Sequence, residues 1–270
     1  MRVCIRVFGI VQGVGFRPTV KRHADACDIA GSVSNKGPYV EIFAEGSEEC
    51  VNSFIKQIQE EPPKRAVILK LDVENVESGE DGIHKVESET DSKEKFQIIE
   101  SEKEEGEIFV SPDIAICPEC KKELYDKNDR RYLHPFINCT CCGPRLTILD
   151  SMPYDRVRTS MGEFPMCEKC EYEYTHAETR RFDAQPVCCN DCGPEVYLLG
   201  RKERGANAIR YTRKVISEGG IVAVKGIGGF HLCCDAAKEE TVARLRQRKK
   251  RPMKPFAVMM KDLDVVRREM

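Results

Sequence analysis

Eight cysteines fall on a doubled grid, and no other feature of this 270-residue chain restricts its fold so tightly. Cys117, Cys120, Cys139 and Cys142 set the spacing C-x2-C-x18-C-x2-C, and after 24 residues Cys167, Cys170, Cys189 and Cys192 repeat it. The same shift lays Arg130-Arg131-Tyr132 on Arg180-Arg181-Phe182 and Cys142-Gly143-Pro144 on Cys192-Gly193-Pro194, so the segment reads as an internal duplication. Each half offers four thiolates, the complement of a tetrahedral structural zinc site with sulfurs at about 2.3 Å. With every position filled by sulfur no place remains for a substrate water, and the expected role is to hold the fold together. Mononuclear iron or an iron–sulfur cluster accepts the same ligands, and buried or transiently disulfide-bonded cysteines are the bland alternative. Cys141 and Cys188 lie beside the grid, and His134 and His176 lie within it; they are read as loop residues, with replacement of a thiolate by either histidine left open.

The chain carries 15 cysteines in all, and C-x2-C pairs in a long chain without a signal peptide favour metal over disulfides. Lys plus Arg number 43 against 45 Asp plus Glu, a net charge of -2 that gives no global attraction to nucleic acid or an anionic membrane. The amino terminus, "MRVCIRVFG", alternates like a strand, and no apolar run is long enough to span a bilayer. The reading is cytoplasmic, with neither membrane nor nucleic acid as partner.

Residues 1–100 alternate strand and helix signals. Val3, Ile5 and Val7 have period two; Pro18–Asp28 suits a helix; Ile29–Ser34 and Tyr39–Glu45 read as strands. Ser47 followed by Glu48 and Glu49 reads as a helix start, with Val51, Phe54, Ile55 and Ile58 as its apolar stripe and Pro62-Pro63 as its stop. Alternation returns at Val67–Val73, then a polar loop over Glu74–Lys95 and a short strand at Phe96–Ile99. The order βαββαβ fits a split βαβ sandwich with two helices on one face of a four- or five-stranded antiparallel sheet. Residues 101–110 are too polar to pack and read as a linker; 111–200 hold the cysteine unit. From 201 to 270 come a helix near Asn207–Ser217, a buried strand at Ile221–Val224 leading into "KGIGGFHL", a basic run "RLRQRKKRPMK" and a strand-like "PFAVMM", so this third unit reads as incomplete.

The loop "GIVQGVGFR", Gly9 to Arg17, sets three glycines between a strand and an arginine, the makings of an anion cradle. It resembles the acylphosphatase signature, and Gly31-Ser32-Val33-Ser34-Asn35 resembles that family's second motif. Followed by the cysteine grid and then "VKGIGGFHL" and "RQRKKRPMKPFAVM", the motif order is similar to the amino-terminal part of hydrogenase maturation carbamoyltransferases of the HypF type. The resemblance implies an α+β chain. It comprises a ferredoxin-like acylphosphatase sandwich, a duplicated Cys4 zinc-finger unit and the start of a YrdC-like α/β domain. It further implies that the amides of Val11, Gln12, Gly13, Val14, Gly15 and Phe16 cradle phosphate, that Arg17 clamps it, and that Asn35 holds the attacking water. Lys249, Arg251 and Lys254 match a K-x-R-P-x-K pattern that implies contacts to ATP phosphates, with magnesium; Lys225 is a weaker candidate.

The function so implied is hydrolysis of carbamoyl phosphate to carbamate and phosphate. Carbamoyl-adenylate formation from ATP follows, then transfer to the carboxy-terminal cysteine of the HypE maturation protein in a complete enzyme. An acylphosphatase joined to a zinc-dependent protein-binding module is the alternative. A basic run can also be a solvated helix face or a nucleic-acid segment.

Overall fold

The computed structural model describes residues 1–76, 95–102, 104, 106, 109–226 and 228–269, which form two compact units, Met1–Glu195 and Val196–Met270. In the first, β1 (Arg2–Ile10), α1 (Phe16–Ala26), β2 (Ala30–Asn35), β3 (Tyr39–Glu45), α2 (Glu48–Glu60), β4 (Val67–Asn75) and β5 (Phe96–Ile98) follow in that order. They make one five-stranded sheet, ordered β4-β1-β3-β2-β5. Alternation in β1 buries Val3, Ile5 and Val7 against α1 and α2, whose Val20, Ala24, Val51, Phe54 and Ile58 complete the core. Ser47 caps α2 as expected, its hydroxyl accepting the Cys50 amide at 3.2 Å.

Several expectations need correction. The sheet is mixed: β5 pairs parallel to β2, with Gly31 opposite Phe96 and Val33 opposite Ile98. Phe96 at this edge drops edge-on against Phe54, ring centroids 6.1 Å apart, so apolar burial places the strand. Glu74 and Asn75, expected in a loop, extend β4 by pairing with Cys4 and Val3; the rest of that loop lies largely outside the described residues. The polar stretch after Glu100 is not a free linker. The amides of Glu102 and Glu104 donate to Asn35 and Lys36, both at 2.9 Å, and the Glu102 carboxylate meets Lys36 at 2.8 Å. Its carboxylates are held because the sandwich faces them with Lys36 and with the Tyr39 hydroxyl, which donates to Glu104 at 2.6 Å.

The cysteine segment completes this unit with two short helices, α3 (Pro118–Tyr125) and α4 (Glu168–Thr175), each starting just after a first-pair cysteine. In the second unit, α5 (Gly205–Ser217), β6 (Val222–Gly226), β7 (Gly229–Cys233), α6 (Glu239–Lys249) and α7 (Leu263–Glu269) follow. β6 and β7 form an antiparallel pair. β6 is not the buried strand expected, for Val224 stands 42% exposed, and "PFAVMM" has no regular structure. Neither segment has a further strand among the described residues to pair with. No helix of the described residues is long and apolar enough to cross a membrane.

Candidate functional site

Between β1 and α1 the chain turns through Gly13 (φ 71°) and Gly15 (φ 81°), both in the left-handed region where a side chain is strained. Space forbids one too: a Cβ on Gly15 would stand 2.9 Å from the Thr140 methyl, and one on Gly13 3.0 Å from the Arg145 side chain. Gly15 is the N-cap of α1 and supplies no side-chain acceptor, so the first-turn amides stay open at the positive end of the helix. Among the described residues the amides of Gln12, Gly13, Val14 and Gly15 meet no protein acceptor. Val14 and Phe16 anchor the loop in the core. The Gln12 carboxamide braces it, donating to Gly37 O at 2.8 Å and accepting the Tyr154 amide at 3.2 Å.

The loop encloses a cavity of about 20 Å³ shared by Gly13, Arg17, Asn35, Arg145, Tyr154 and Asp183. The recess is partly open, and that volume is its narrow inner part, with room for about one water. Arg17 and Asn35, on α1 and β2, both line it. Asn35 is 1% exposed; its Nδ2 donates to Tyr154 O at 3.5 Å, while its Oδ1 is buried without a partner. The Tyr154 hydroxyl is likewise unpartnered. A buried acceptor and hydroxyl left open on one small cavity suit a guest that hydrogen-bonds.

The cysteine unit closes the site, which the sequence did not disclose. Arg145 is 2% exposed and donates its Nε to Gly13 O of the loop. Its Nη1 serves the carbonyls of Pro144 (2.7 Å) and Cys142 (3.3 Å), and its Nη2 those of Thr140 (2.9 Å) and Cys139 (3.1 Å). All five donors are spent, none on a carboxylate, so one positive charge sits beneath the phosphate-type loop. Arg17 in turn meets two carboxylates: Asp183 through Nε (3.1 Å) and Nη2 (3.3 Å), and Asp155 through Nη1 (3.0 Å). Burial disfavours the Arg17 charge, but Asp183 and then Asp155 outweigh it and hold the guanidinium protonated. Burial pushes the Asp183 carboxyl upward and Arg17 opposes this; with Nη2 donating at 3.3 Å and Nε 3.1 Å from the other oxygen, the contact favours the ionised pair. Asp155 also takes Arg158 at 3.1 Å, so two cations and two anions balance.

Both sets of four cysteines converge, all sulfurs of each set lying within 4.8 Å of one another. Cys117–Cys139 and Cys139–Cys142 are 3.9 and 3.7 Å apart; Cys167–Cys189, Cys189–Cys192 and Cys170–Cys192 are 3.9, 3.8 and 3.6 Å. A tetrahedron with metal–sulfur bonds of about 2.3 Å has edges of about 3.8 Å, so the donors fit a single ion. His134 and Cys188 stay outside the set. His134 donates Nδ1–H to Asn190 Oδ1 (3.0 Å), an oxygen whose own amide donates elsewhere, so Nε2 accepts the Cys188 thiol at 3.1 Å. Burial pushes the imidazole down to about 4 and the thiol up to about 12, consistent with a neutral pair.

The duplicated arginines cross over. Arg130 donates to Cys170 Sγ (3.2 Å) and Cys167 Sγ (3.5 Å) of the second set, and Arg180 to Cys120 Sγ (3.5 Å) of the first. Arg131 and Arg181 reach across to Glu173 and Glu123 in the same exchange. Each repeat thereby supplies the cations that neutralise the thiolates of the other.

In the second unit Arg251 donates to Pro255 O (3.0 Å) and lies over Phe256, its Nε buried and unpartnered. Arg246, not singled out by sequence, donates to the carbonyls of Arg251 (3.3 Å) and Lys254 (3.0 Å) and curls this stretch. Lys249 and Lys254 are exposed, and among the described residues no acceptor is shared by the three expected nucleotide contacts.

Comparison with known proteins follows the same divisions. The Acylphosphatase family matches residues 3–98, the HypF finger 116–149 and 166–199, and the Telomere recombination family 214–270. The chain is 52% identical over 97% of its length to a probable carbamoyltransferase HypF of Methanocaldococcus jannaschii, covering 33% of that protein. It is 46% identical to an acylphosphatase of Caldivirga maquilingensis over 30% of this chain and 86% of that one. A crystal structure of full-length HypF superposes over 98% of this chain and 34% of its own, with a TM-score of 0.85 and 46% identity. The chain spans about a third of the length of the HypF relatives it matches. Near-complete coverage of this chain at such identity, with sandwich and fingers in the same order, settles the family: the chain belongs to the HypF carbamoyltransferases.

Proposed function

We propose that the loop site hydrolyses carbamoyl phosphate to carbamate and inorganic phosphate. The observation that carries this reading is the meeting of Arg17, Asn35 and the open amides of Gln12–Gly15 around one small cavity. The loop amides and the α1 amino terminus would receive the equatorial phosphoryl oxygens, and Arg17 would meet the charge that grows on them. The Asn35 Oδ1, buried without a partner, would accept a hydrogen bond from the attacking water and hold its oxygen toward phosphorus. Water forms the new P–O bond and keeps both its protons on the phosphate so formed, the bond from phosphorus to the acyl oxygen breaks, and carbamate leaves with that electron pair. Carbamate is a stable enough leaving group to need no acid.

Both Cys4 clusters are assigned structural zinc, which would fix the finger segment that walls the site. For the wider reaction we infer that the Val196–Met270 unit supplies Lys249, Arg251 and Lys254 to ATP–magnesium during carbamoyl-adenylate formation. The complete enzyme then passes the carbamoyl group to the carboxy-terminal cysteine of HypE in [NiFe]-hydrogenase maturation, in the cytoplasm. The HypF that this chain resembles in structure was crystallised in a phosphate- and nucleotide-bound form, which supports both halves of this reading. The test is phosphate release from carbamoyl phosphate by the chain and by Arg17→Ala and Asn35→Ala. Loss of turnover in both is expected; turnover equal to wild type in either would overturn its role.

A further inference from the structure

Arg17 is committed to the cysteine unit in a way that bears on its chemistry. A guanidinium has five N–H donors in a fixed plane. Three of Arg17's are hydrogen-bonded, one Nη2 proton to Asp183 (3.3 Å) and the two Nη1 protons to Asp155 (3.0 Å) and Ser101 Oγ (3.1 Å), while Nε lies 3.1 Å from Asp183 Oδ2 in ion-pair contact. One Nη2 proton remains. Asp183 is itself braced, because Gln185 Nε2 donates to its Oδ1 at 2.8 Å and to its carbonyl at 3.1 Å. Gln185 is 2% exposed, and its Oε1 is held by the Arg156 amide at 2.7 Å and the Tyr174 hydroxyl at 3.1 Å. Asp183 sits at φ 55°, a left-handed conformation that Asp tolerates better than most residues. The backbone is thus bent so that this carboxylate lines the loop cavity alongside Arg17.

We propose that Asp183, carried by the second cysteine repeat, is a positioning residue for phosphoryl transfer. It grips the Nε–Nη2 edge of Arg17 and aims the remaining Nη2 proton at the phosphoryl oxygens, making the acylphosphatase site composite between sandwich and finger. The proposal rests on the reading of the loop as a phosphoryl site. Two carboxylates do not cancel the site's attraction for an anion, since Arg158 balances Asp155, and the Arg145 guanidinium, whose five donors all go to carbonyls, adds a positive charge under Gly13. A carboxylate that instead merely blocked Arg17 would have no need of the Gln185 brace.

The experiment is steady-state hydrolysis of carbamoyl phosphate, with inorganic phosphate as inhibitor, by the whole 270-residue chain. The variants are Asp183→Asn, Arg17→Ala and the pair combined. An aim lost by a fraction of an ångström lowers kcat by about 10- to 100-fold. KM and the phosphate inhibition constant should move by less than about threefold, because the interaction lost belongs to the transition state. In the Arg17→Ala background, Asp183→Asn should lower the residual turnover, read at high enzyme concentration, no further. Should Asp183→Asn not fold, Gln185→Glu, which keeps an oxygen for the Arg156 amide and the Tyr174 hydroxyl and removes the donor to Asp183, carries the same kcat-against-KM test. A lowered KM with kcat kept would show Asp183 to be a competitor and overturn the proposal. So would an equal loss with and without Arg17. If Arg17→Ala itself matches wild type, the phosphoryl-site reading fails instead, and the two failures are told apart.

Discussion

Replacing Arg145 by alanine tests how far the finger segment holds the phosphate-type loop. The side chain is 2% exposed and spends every donor on a backbone carbonyl, one of them Gly13 O in the loop itself. Truncation leaves those carbonyls facing a hole. Each buried orphan costs about 1–3 kcal/mol, but water enters the space and restores part of this, so a net loss of about 3–5 kcal/mol is reasonable. For a unit of this size each kcal/mol shifts Tm by about 2–4 °C, giving a fall of about 10 °C. Arg145→Lys should fall nearly as far, because an ammonium offers three donors and no planar fork. Thermal unfolding by circular dichroism measures the shift, and phosphate release on the same samples reads the loop. An Arg145→Ala chain melting within about 2 °C of wild type, well inside the loss just worked out, would refute the reasoning.

Two further outcomes are expected. Cys170→Ser should empty both metal sites, not one, because the second set draws Arg130 across from the first repeat and returns Arg180 to it; metal analysis that finds one full equivalent retained would contradict the exchange. Asp113 accepts the amides of Arg145 (2.8 Å) and Thr147 (3.1 Å) and the Thr147 hydroxyl (2.7 Å). Burial raises its carboxyl, but these bonds outweigh it and lower the value below the usual range. A depressed carboxyl contributes stability above its unfolded value, about 3.9, and that contribution fades as pH falls through the folded value. The Tm of Asp113→Asn should therefore approach that of wild type in acid and lie below it at neutral pH; parallel curves would sink the assignment.

Local signals in the sequence were enough for the sandwich. Period-two burial in β1, the Ser47 cap and the glycine loop each depend on neighbours a few residues away. The direction of β5 was not legible, since it depends on Phe96 meeting Phe54 across the core. Arg17, Asn35 and the two sets of four cysteines could be named because each belongs to a short motif; Asp155, Asp183, Arg145 and Tyr154 could not, because their partners lie 119 to 166 positions away. One signal was available in the repeat itself. Leu133 and Asp183 occupy equivalent positions with φ 53° and 55°, and only the second repeat places a carboxylate there. Where two copies share a backbone and differ in chemistry, the difference marks what one copy does and the other does not. The repeated arginine pairs were visible as a pattern, but their crossing between repeats required the tertiary fold.

The central claim is that the loop between β1 and α1 receives a phosphoryl group against Arg17. Crystals of the chain soaked in inorganic phosphate test it most directly. The expected result is an anion on the amides of Gly13, Val14, Gly15 and Phe16, with one Arg17 Nη2 contact to it and the Asp183 pair retained. An empty loop at saturating phosphate, with Arg17 turned wholly toward the finger carboxylates and the anion bound elsewhere, would contradict it.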